Sequence, residues 1–482
     1  MLLSELISGL EDVFTIGFRE REILSVTDYS GECDKESVFV CIKGARHDGS
    51  SFTGEARRLG ARVFVCETMI PLSDDETLII SKNARKTLAE MSKLLYYDSF
   101  KNMKIIGVTG TKGKTTVSKF IYECLSRLGA GAILIGTLGT ESFGFEIRSE
   151  NQMNTTPSAP FIYRTLAYAA ERGASSAVIE VSSQALMEYR VFGIPFSACV
   201  FTNFSPDHIG EHEHKDLDEY YEAKHRLFLE NPDAVAVVNA DDLRAEKISR
   251  GSRRAVCVSL KNEGDYKVEV VESGESYLKL NLNGIPISLS VAGRYNAVNA
   301  ALAIATVSEL YGAPPSLFSE SLSDVRVRGR YEVYRLFGRR VIIDFAHNGE
   351  SFRTVLGEAR SFCRGRVIAV FGSVGDRSYN RRAELADAAE RYADFSVITA
   401  DNPGYESVRK ICEEIYSCFR DPTRGKIVED RGEAIMYALS HSRPSDFILL
   451  LGKGHEEYQL IKGVKVPFSE REIILSLGGK EI

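Results

Sequence analysis

The chain has 482 residues, of which 44% are hydrophobic and 26% are charged, and its formal net charge is −7. This length predicts several domains with large buried cores. The net negative charge argues against nucleic acid and anionic membrane as main partners, because it provides no global attraction to phosphate.

The cysteines and the N-terminal residues bear on the cellular compartment. The nine cysteines are odd in number and scattered, and no CxxC pair occurs, which is typical of reduced thiols rather than of disulfides or a zinc ribbon. Residues 1–7 indicate a short amphipathic helix, and no apolar stretch approaches the roughly 20 residues of a membrane span. We therefore expect a cytoplasmic protein.

The first hundred residues mix short strand patterns with helical ones. The expected strands are Ser37 to Ile42, Ala61 to Cys66 and Thr77 to Ile80, and the expected helix is Ala84 to Tyr97. This mixture predicts a small α/β domain.

A glycine- and lysine-rich turn follows that domain. The letters GTKGKTT occupy residues 110–116, after an apolar run at 105–108 and before a helix-patterned segment at 117–128. A strand, a glycine turn and a helix N-terminus together form a phosphate-binding architecture, in which Lys114 reaches the β- and γ-phosphates and Thr115 ligates Mg²⁺. The strict GxxxxGK[ST] spacing fails, because Val108 stands where the first glycine belongs.

The rest of the chain alternates apolar strands with helical stretches. Four strands are expected in the central part and four more after residue 330, namely Ile105–Thr109, Ala177–Val181, Ala198–Thr202, Ala234–Asn239, Val341–Phe345, Arg366–Phe371, Phe395–Thr399 and Phe447–Leu451. Alternation of this kind predicts parallel sheets covered on both faces. We expect an α/β protein of three domains: a small α/β domain at 1–102, a central P-loop ATPase-like parallel-sheet domain at 103–326, and a Rossmann-like domain at 327–482.

Three further polar positions stand out in the central part. Glu180 ends a predicted parallel strand, where a carboxylate is well placed for Mg²⁺. Histidines at 208, 212 and 214 could suggest zinc, but Gly210 and the loop-like composition favour a polar, substrate-facing loop. By composition alone, Lys224 reads as a surface lysine.

The motifs occur in a characteristic order. They are GTKGKTT (110–116), NTTP (154–157), EVSSQAL (180–186), TNFSPDH (202–208), YYEAKHRLF (220–228), NADD (239–242), GRYNAVNA (293–300), RGRYE (328–332), DFAHN (344–348), DNPG (401–404) and GKGHE (452–456). This ordered set resembles the Mur ligases of peptidoglycan synthesis, and among them the members that add the third amino acid of the peptide.

The resemblance implies a reaction and its small-molecule partners. ATP with Mg²⁺ would activate the D-glutamate carboxylate of UDP-MurNAc-L-Ala-D-Glu as an acyl phosphate, and an amino acid's amine would then displace phosphate. No nucleic acid or membrane partner is implied, and we expect a monomer.

The resemblance also implies roles for matching residues. The catalytic set is Lys114, Lys224 and His208, with Lys224 matching a lysine that family members carry as an N-carboxylated carbamate. The implied metal ligands are Thr115, Glu180, His208 and Lys224. The implied ATP contacts are Gly110, Thr111, Lys112, Gly113, Lys114, Thr115, Thr116, Asn299, Arg330 and Asp344. The implied contacts to the nucleotide-sugar dipeptide are Ser30, Thr155, Thr156, Ser182, Glu188 and Arg190.

Two parts of the pattern depart from the family. Tyr29 and Gly31 replace the Asp and Arg of the uridine-binding Asp-Ser-Arg motif around Ser30, and Glu188 stands where glutamine is common. The amino-acid site is implied to comprise Arg377, Asp401, Asn402, Pro403, Gly404, Gly452 and Glu456.

The fourth residue of the DNPG loop decides which amino acid is expected. The diaminopimelate-adding branch has an arginine there, a bidentate clamp for the distal carboxylate, whereas this chain has Gly404. Glycine removes a charge that would repel an ε-ammonium, and Asp401 and Glu456 remain to pair with one. L-Lysine is therefore the expected third residue, with meso-diaminopimelate or another diamino acid as the alternative. A folylpolyglutamate synthase-like ligase and an inactive Mur-like binding protein rank lower.

Overall fold

The computed structural model describes residues 1–44, 47–147, 154–207, 214–375 and 379–482. They form two compact units, one of Met1–Lys267 with Asn299–Phe318 and one of Val268–Val298 with Ser319–Ile482. No helix in the described part of the chain combines the length and the apolar character needed to cross a bilayer.

The first unit begins with a five-stranded sheet in the order β1-β5-β4-β3-β2. Its strands are β1 (Val13–Ile16), β2 (Ser25–Thr27), β3 (Ser37–Val40), β4 (Val63–Cys66) and β5 (Thr77–Ser81), and its helices are α1 (Leu3–Ser8), α2 (Thr53–Leu59) and α3 (Ala84–Phe100). Only β1 runs antiparallel to its neighbour. The predicted small α/β domain is present, with strand ends that differ from the sequence expectation by one or two residues.

The same unit contains a larger sheet in the order β12-β11-β10-β6-β9-β7-β8. Its strands are β6 (Lys104–Thr109), β7 (Ala132–Gly136), β8 (Gly139–Ser142), β9 (Ser176–Glu180), β10 (Ala198–Phe201), β11 (Val235–Asn239) and β12 (Arg254–Ser259). Its helices are α4 (Lys114–Arg127), α5 (Ala159–Glu171), α6 (Ser183–Met187), α7 (Leu217–Leu229) and α8 (Ala245–Ser249). Strands β7, β9 and β10 are buried along their whole length, as parallel strands covered on both faces require.

A meander of antiparallel strands was not predicted from the sequence. Strand β13 (Tyr266–Ser273) pairs with β12 through its first two residues and then, from Val268, runs antiparallel to β14 (Leu278–Leu282), which pairs with β15 (Ile285–Leu289). In β14 and β15 buried and more exposed residues alternate, a period of two that differs from the continuous apolar runs used to find the parallel strands. Helix α9 (Tyr295–Tyr311) follows.

The second unit is built on a seven-stranded sheet in the order β20-β19-β18-β21-β17-β16-β24. Its strands are β16 (Glu332–Leu336), β17 (Arg339–Asp344), β18 (Val367–Phe371), β19 (Phe395–Ile398), β20 (Gly425–Ile427), β21 (Phe447–Leu451) and β24 (Lys480–Glu481). A separate hairpin consists of β22 (Tyr458–Ile461) and β23 (Val464–Pro467). The helices are α10 (Gly349–Phe362), α11 (Tyr379–Tyr392), α12 (Val408–Ser417), α13 (Arg431–Ser440) and α14 (Glu470–Ser476). Five neighbouring strands of this sheet are parallel, as a Rossmann-like domain predicts: β17, β21, β18, β19 and β20.

Candidate active site

The glycine turn lies between β6 and α4, as predicted. Gly110 and Gly113 have φ values of 144° and 82°, which L side chains rarely adopt. A Cβ on Gly110 would also lie 2.0 Å from Thr202 Oγ1, so only glycine fits there. Asn203 supports the turn, because its carbonyl accepts from Thr111 N at 2.9 Å and its side-chain oxygen accepts from Lys112 N at 2.9 Å.

Lys114, the first residue of α4, turns back over the loop. Its Nζ donates to the carbonyls of Gly110 at 2.9 Å and Thr111 at 3.1 Å. The ammonium thus lies at the helix N-terminus, where backbone N–H groups and the helix dipole favour anions. Asn299 lies beside the same turn, since a Cβ on Gly113 would be 2.8 Å from its Oδ1.

The side chains of Glu180 and Thr115 are in contact next to the phosphate loop. Glu180 is 1% exposed, and its carboxylate accepts from Thr115 Oγ1 at 3.0 Å and from the backbone N–H and hydroxyl of Thr137 at 2.9 and 3.0 Å. A Cβ on Gly136 would lie 2.2 Å from Glu180 Oε1, so glycine is needed to admit the carboxylate. These oxygen ligands suit Mg²⁺, which usually keeps waters and substrate phosphates as its remaining ligands. No group of three or more His, Cys, Asp or Glu suited to a metal occurs among the described residues.

Lys224 corrects the composition-based reading of a surface lysine. It lies on α7, which Asp216 caps by accepting from Glu219 N, and its side chain is 1% exposed. Its Nζ donates to Gly110 O at 3.1 Å and lies 4.2 Å from the centroid of the Tyr220 ring. Burial lowers the pKa of Lys224 well below its ordinary value, and the nearby cations of Lys114 and Lys112 lower it further while Asp207 opposes them. A neutral amine is therefore favoured directly beneath the phosphate loop.

The residues matched to the dipeptide lie around the end of β9. Thr156 Oγ1 donates to Glu180 O at 2.7 Å and accepts from Ser182 N at 3.0 Å, while Thr155 Oγ1 lies 3.0 Å from Thr137 Oγ1. Arg190 donates to Thr156 O at 2.8 Å and forms an ion pair with Glu188 at 2.5 Å. The structure thus places five of the six predicted residues, Thr155, Thr156, Ser182, Glu188 and Arg190, in one neighbourhood around the end of β9, and the sixth, Ser30, lies in the N-terminal domain.

The N-terminal domain contributes charged residues to the Arg190 neighbourhood. Arg85 lies 3.5 Å from Glu188 Oε2. Asp28 also lies within electrostatic reach of the Arg190 and Arg85 cations. Ser30, the predicted uridine contact, is 5% exposed and donates to Glu55 Oε2 at 2.6 Å.

In the second unit, Asp344 holds backbone at the end of β17. Its two carboxylate oxygens accept from Tyr331 N and Ala346 N, each at 2.7 Å. Arg330 lies over the Phe345 ring, 4.7 Å from its centroid. The residues predicted to contact ribose and phosphate thus form one local cluster, and their roles stay predictions.

The amino-acid residues of the second unit also cluster. Asn402 Nδ2 donates to Glu456 Oε2 at 2.8 Å, and Asp401 is 2% exposed with no hydrogen-bond partner at Oδ1 in the described structure. A Cβ on Gly452 would lie 2.5 Å from Asp401 Oδ2. Pro403 is buried and Gly404 has a φ of 60°. The structure therefore joins the DNPG and GKGHE motifs, as the resemblance implies.

Three of the histidines and arginines singled out in the sequence lie outside the described residues. These are His208, His212 and Arg377. His214 is described: it is 3% exposed, its Nε2 lies 2.9 Å from Ser183 Oγ, and its ring packs at 4.9 Å on Tyr220.

Sequence reasoning missed three supporting residues. Thr137 holds Glu180 with two hydrogen bonds, and nothing but its position after β7 could have indicated it. Lys453 is fully buried and donates to Asn402 Oδ1 at 2.8 Å and Glu456 Oε2 at 2.7 Å. The GKGHE letters contain Lys453, yet lysine is normally read as a surface residue. Arg431 is the third: its buried guanidinium donates to Ala400 O and to Leu451 O, next to the DNPG and GKGHE motifs.

Comparisons with known proteins agree with this arrangement. Family models of the Mur ligase catalytic domain, the Mur ligase middle domain and the Mur ligase glutamate ligase domain match residues 27–96, 108–307 and 329–454. The UDP-N-acetylmuramoyl-L-alanyl-D-glutamate--2,6-diaminopimelate ligase of Aquifex aeolicus is 34% identical, with 96% of this chain and 95% of that protein covered. This chain belongs to the Mur ligase family. It is an ATP-dependent ligase, as the order of motifs predicts.

Further relatives support the assignment of the fold. The correspondingly named protein of Clostridium perfringens is 32% identical over 99% of both chains. A solved 2,6-diaminopimelate ligase structure superposes with a TM-score of 0.64 at 26% identity, covering 94% of each chain. The ADP complex of Mycobacterium tuberculosis folylpolyglutamate synthase, at 18% identity and a TM-score of 0.61, covers 75% of this chain and shares the fold. The predicted three-domain α/β fold is confirmed, and the boundaries at residues 102 and 326 stay predictions.

Proposed function

We propose that this ligase joins an amino acid to UDP-MurNAc-L-Ala-D-Glu, forming ADP and phosphate through an acyl phosphate. The observation that carries the proposal is the buried Lys224, held under a phosphate loop whose Thr115 contacts Glu180. The names of full-length relatives supply the nucleotide-sugar dipeptide as the acceptor.

The phosphate loop has the groups needed to neutralise a transferring phosphoryl group. Backbone N–H groups of residues 110–116 and the Lys114 ammonium would bind the phosphates of ATP. Thr115 and Glu180, with His208 and Lys224 as predicted further ligands, would hold Mg²⁺. Bound there, Mg²⁺ would offset negative charge on the β- and γ-phosphates.

Lys224 is suited to become a carbamate. Only a neutral amine attacks CO₂, and the lowered pKa favours that form. The ammonium first gives up one proton to become the neutral amine, and the nitrogen loses a second proton as the N–C bond to CO₂ forms, so overall a cation becomes an anion. Between Lys114 and Lys112, an anion at this position would be paired with positive charge, whereas the ammonium is repelled.

Arg190 and its neighbours are proposed to bind the dipeptide end of the acceptor. Arg190 bonds Thr156 O, and the Thr156 hydroxyl bonds the backbone on both sides of β9's end, so the guanidinium is anchored next to Glu180. A fixed guanidinium is a good partner for a carboxylate. Alignment of the acceptor carboxylate with the γ-phosphate is the main catalytic task that remains.

We propose meso-diaminopimelate as the third amino acid. The sequence expectation of lysine is not supported by the comparisons, because the curated relatives reported above and the solved structure at 26% identity are named for 2,6-diaminopimelate. Asp401 and Glu456 offer two carboxylates to an ammonium group, which diaminopimelate and lysine both carry at the distal end, so the names of the relatives alone favour diaminopimelate.

Lysine is the second candidate, and Gly404 is the observation that favours it. No side chain at position 404 can clamp a distal carboxylate, so a diamino acid without that carboxylate would lose little. A cation elsewhere in the site could still bind the distal carboxylate in place of a side chain at position 404.

A ligation assay with an amino-acid panel tests the proposal. Purified protein would be given UDP-MurNAc-L-Ala-D-Glu, ATP, Mg²⁺ and one amino acid, with phosphate release and product mass measured. We expect phosphate release only when all substrates are present, and the highest kcat/KM for meso-diaminopimelate. Phosphate release that does not require the dipeptide acceptor would refute the function, whereas a higher kcat/KM for lysine would refute only the choice of amino acid.

We also propose that the ligase acts as a monomer in the cytoplasm. All nine cysteines are free thiols, six of them buried, which suits a reducing compartment. Light scattering of the purified protein would test the oligomeric state, and a stable dimer at micromolar concentration would contradict it.

A further inference from the structure

The β22–β23 hairpin is bonded to the loop position that lacks the arginine. Gly404 N donates to Leu460 O at 3.0 Å, and Lys462 N donates to Gly404 O at 2.7 Å. Gly404 and Ile461 form a parallel bridge. The hairpin turn, Lys462-Gly463, is therefore held beside residue 404 by backbone hydrogen bonds, independently of any side chain.

Lys462 is the cation that this turn presents. It is exposed, its φ of 49° belongs to a tight turn, and its side chain makes no ion pair with any described carboxylate. Lys465, on the same hairpin, is different, because its Nζ lies over the Tyr458 ring at 4.3 Å from the centroid. Lys465 can therefore serve as a control for Lys462, because both lie on the same hairpin but only Lys465 contacts an aromatic ring.

Two carboxylates share one ammonium where the DNPG and GKGHE motifs meet. Lys453 is the buried cation there, and its ammonium is taken by Asn402 Oδ1 and by Glu456 Oε2 at 2.7 Å. Asp401 lies 3.9 Å from the same ammonium. Two carboxylates against one cation favour an ammonium ligand, but the distal end of diaminopimelate carries a carboxylate as well. An additional cation near residue 404 would complete the match.

We propose that Lys462 supplies the charge that Gly404 cannot, by pairing with the distal carboxylate of a diamino dicarboxylic acid. This inference rests on the proposed function with meso-diaminopimelate. The backbone bonds hold the Lys462 main chain beside Gly404, and a lysine side chain is long enough to reach a carboxylate bound next to that residue. Because an ammonium is a point charge rather than a rigid fork, it needs less exact placement than a guanidinium.

Steady-state kinetics of hairpin variants test the proposal. The acceptor and ATP would be saturating, and meso-diaminopimelate or L-lysine would be varied, for the wild type, Lys462→Gln, Lys462→Arg and the matched control Lys465→Gln. We expect Lys462→Gln to raise the KM for diaminopimelate roughly 10-fold or more with kcat nearly unchanged, as the loss of a charged hydrogen bond predicts. The KM for lysine should not change, Lys462→Arg should keep the wild-type KM, and Lys465→Gln should have no effect on either substrate.

The possible results separate this inference from the proposed function. An unchanged KM for diaminopimelate in Lys462→Gln would overturn the role of Lys462 while the proposed function stands. An equal rise in the KM for lysine and diaminopimelate would also overturn it, because a carboxylate partner affects only one of them. If the wild type ligates lysine but not diaminopimelate, the proposed amino acid and this inference both fail.

Discussion

Removing the guanidinium of Arg431 should lower the local stability of the backbone that carries the amino-acid site. Arg431, the first residue of α13, has a fully buried side chain that meets the carboxylate of Glu470 at 2.8 Å. It also donates to Ala400 O at 2.9 Å and to Leu451 O at 2.8 Å. Those two carbonyls immediately precede Asp401 and Gly452. Arg431 therefore ties the ends of β19 and β21 to α14 beneath the site.

The expected cost follows from what Arg431→Met leaves behind. Glu470 is 1% exposed, so its carboxylate would lose its ion-pair partner without gaining water, and breaking such a buried pair costs about 3–5 kcal/mol. Replacing both partners, in Arg431→Met with Glu470→Leu, removes the uncompensated charge. The double variant should be more stable than Arg431→Met, because no unpaired charge stays buried, but both variants leave the two carbonyls unpaired at about 1–3 kcal/mol each.

The stability lost in Arg431→Met should also depend on pH. Burial raises the pKa of Glu470 above its ordinary value, while the Arg431 cation opposes that rise. A carboxyl group whose pKa is raised in the folded state binds its proton more tightly there, so stability is present at low pH and is lost as pH rises through the folded pKa. Without Arg431 the pKa rises further, so the variant should lose more stability at about pH 8 than at about pH 5.5.

Hydrogen exchange is a suitable assay because the protein has several domains and no tryptophan. Peptides covering β21 (Phe447–Leu451) would report the local unfolding free energy, after correction for intrinsic exchange at each pH. The matched control is Arg409→Met, which breaks an exposed pair with Glu413 at 2.6 Å and should cost at most about 0.5 kcal/mol. The reasoning is refuted if the unfolding free energy of β21 in Arg431→Met stays within about 1 kcal/mol of the wild-type value. It is also refuted if that free energy falls by the same amount at both pH values. We further expect a raised KM for the amino acid and an unchanged KM for ATP.

Three more predictions concern single side chains. Lys114→Met should lower kcat by a factor on the order of 10³ with unchanged thermal unfolding, because a charge that stabilises a transferring phosphoryl group is lost; near-normal turnover in the folded variant would contradict this. Lys224→Ala should be inactive and partly restored by formate or acetate, and full activity without either would exclude a metal-ligand role. Burial lowers the pKa of His455 from 6.5 to about 3, so stability is lost as pH falls below the unfolded value. At about 1.4 kcal/mol per pH unit, lowering the pH from about 7 to about 5 should cost the wild type about 2 kcal/mol more than His455→Gln, measured by hydrogen exchange of 452–460 peptides; equal pH profiles would refute this.

The sequence alone was sufficient for the features that depend on local chemistry. Continuous apolar runs located most of the parallel strands, because a strand buried on both faces is apolar on both, but β7, β12 and β20 were not predicted. The glycines at 110 and 113 located the phosphate turn, since their φ values are available to few other residues. The order of motifs then implied the family, which the comparisons support over the whole chain.

Tertiary structure decided the features that depend on long-range contacts. Lys224 and Lys453 read as surface lysines in sequence, yet both are buried, because the phosphate loop covers one and the joined DNPG and GKGHE motifs enclose the other. Arg431 bonds residues 31 and 20 positions away, a relation that no local pattern encodes. The pairing of Gly404 with the Lys462 turn is equally remote in sequence. A side chain's charge state depends on the groups that remove it from water, and here those groups come from distant parts of the chain.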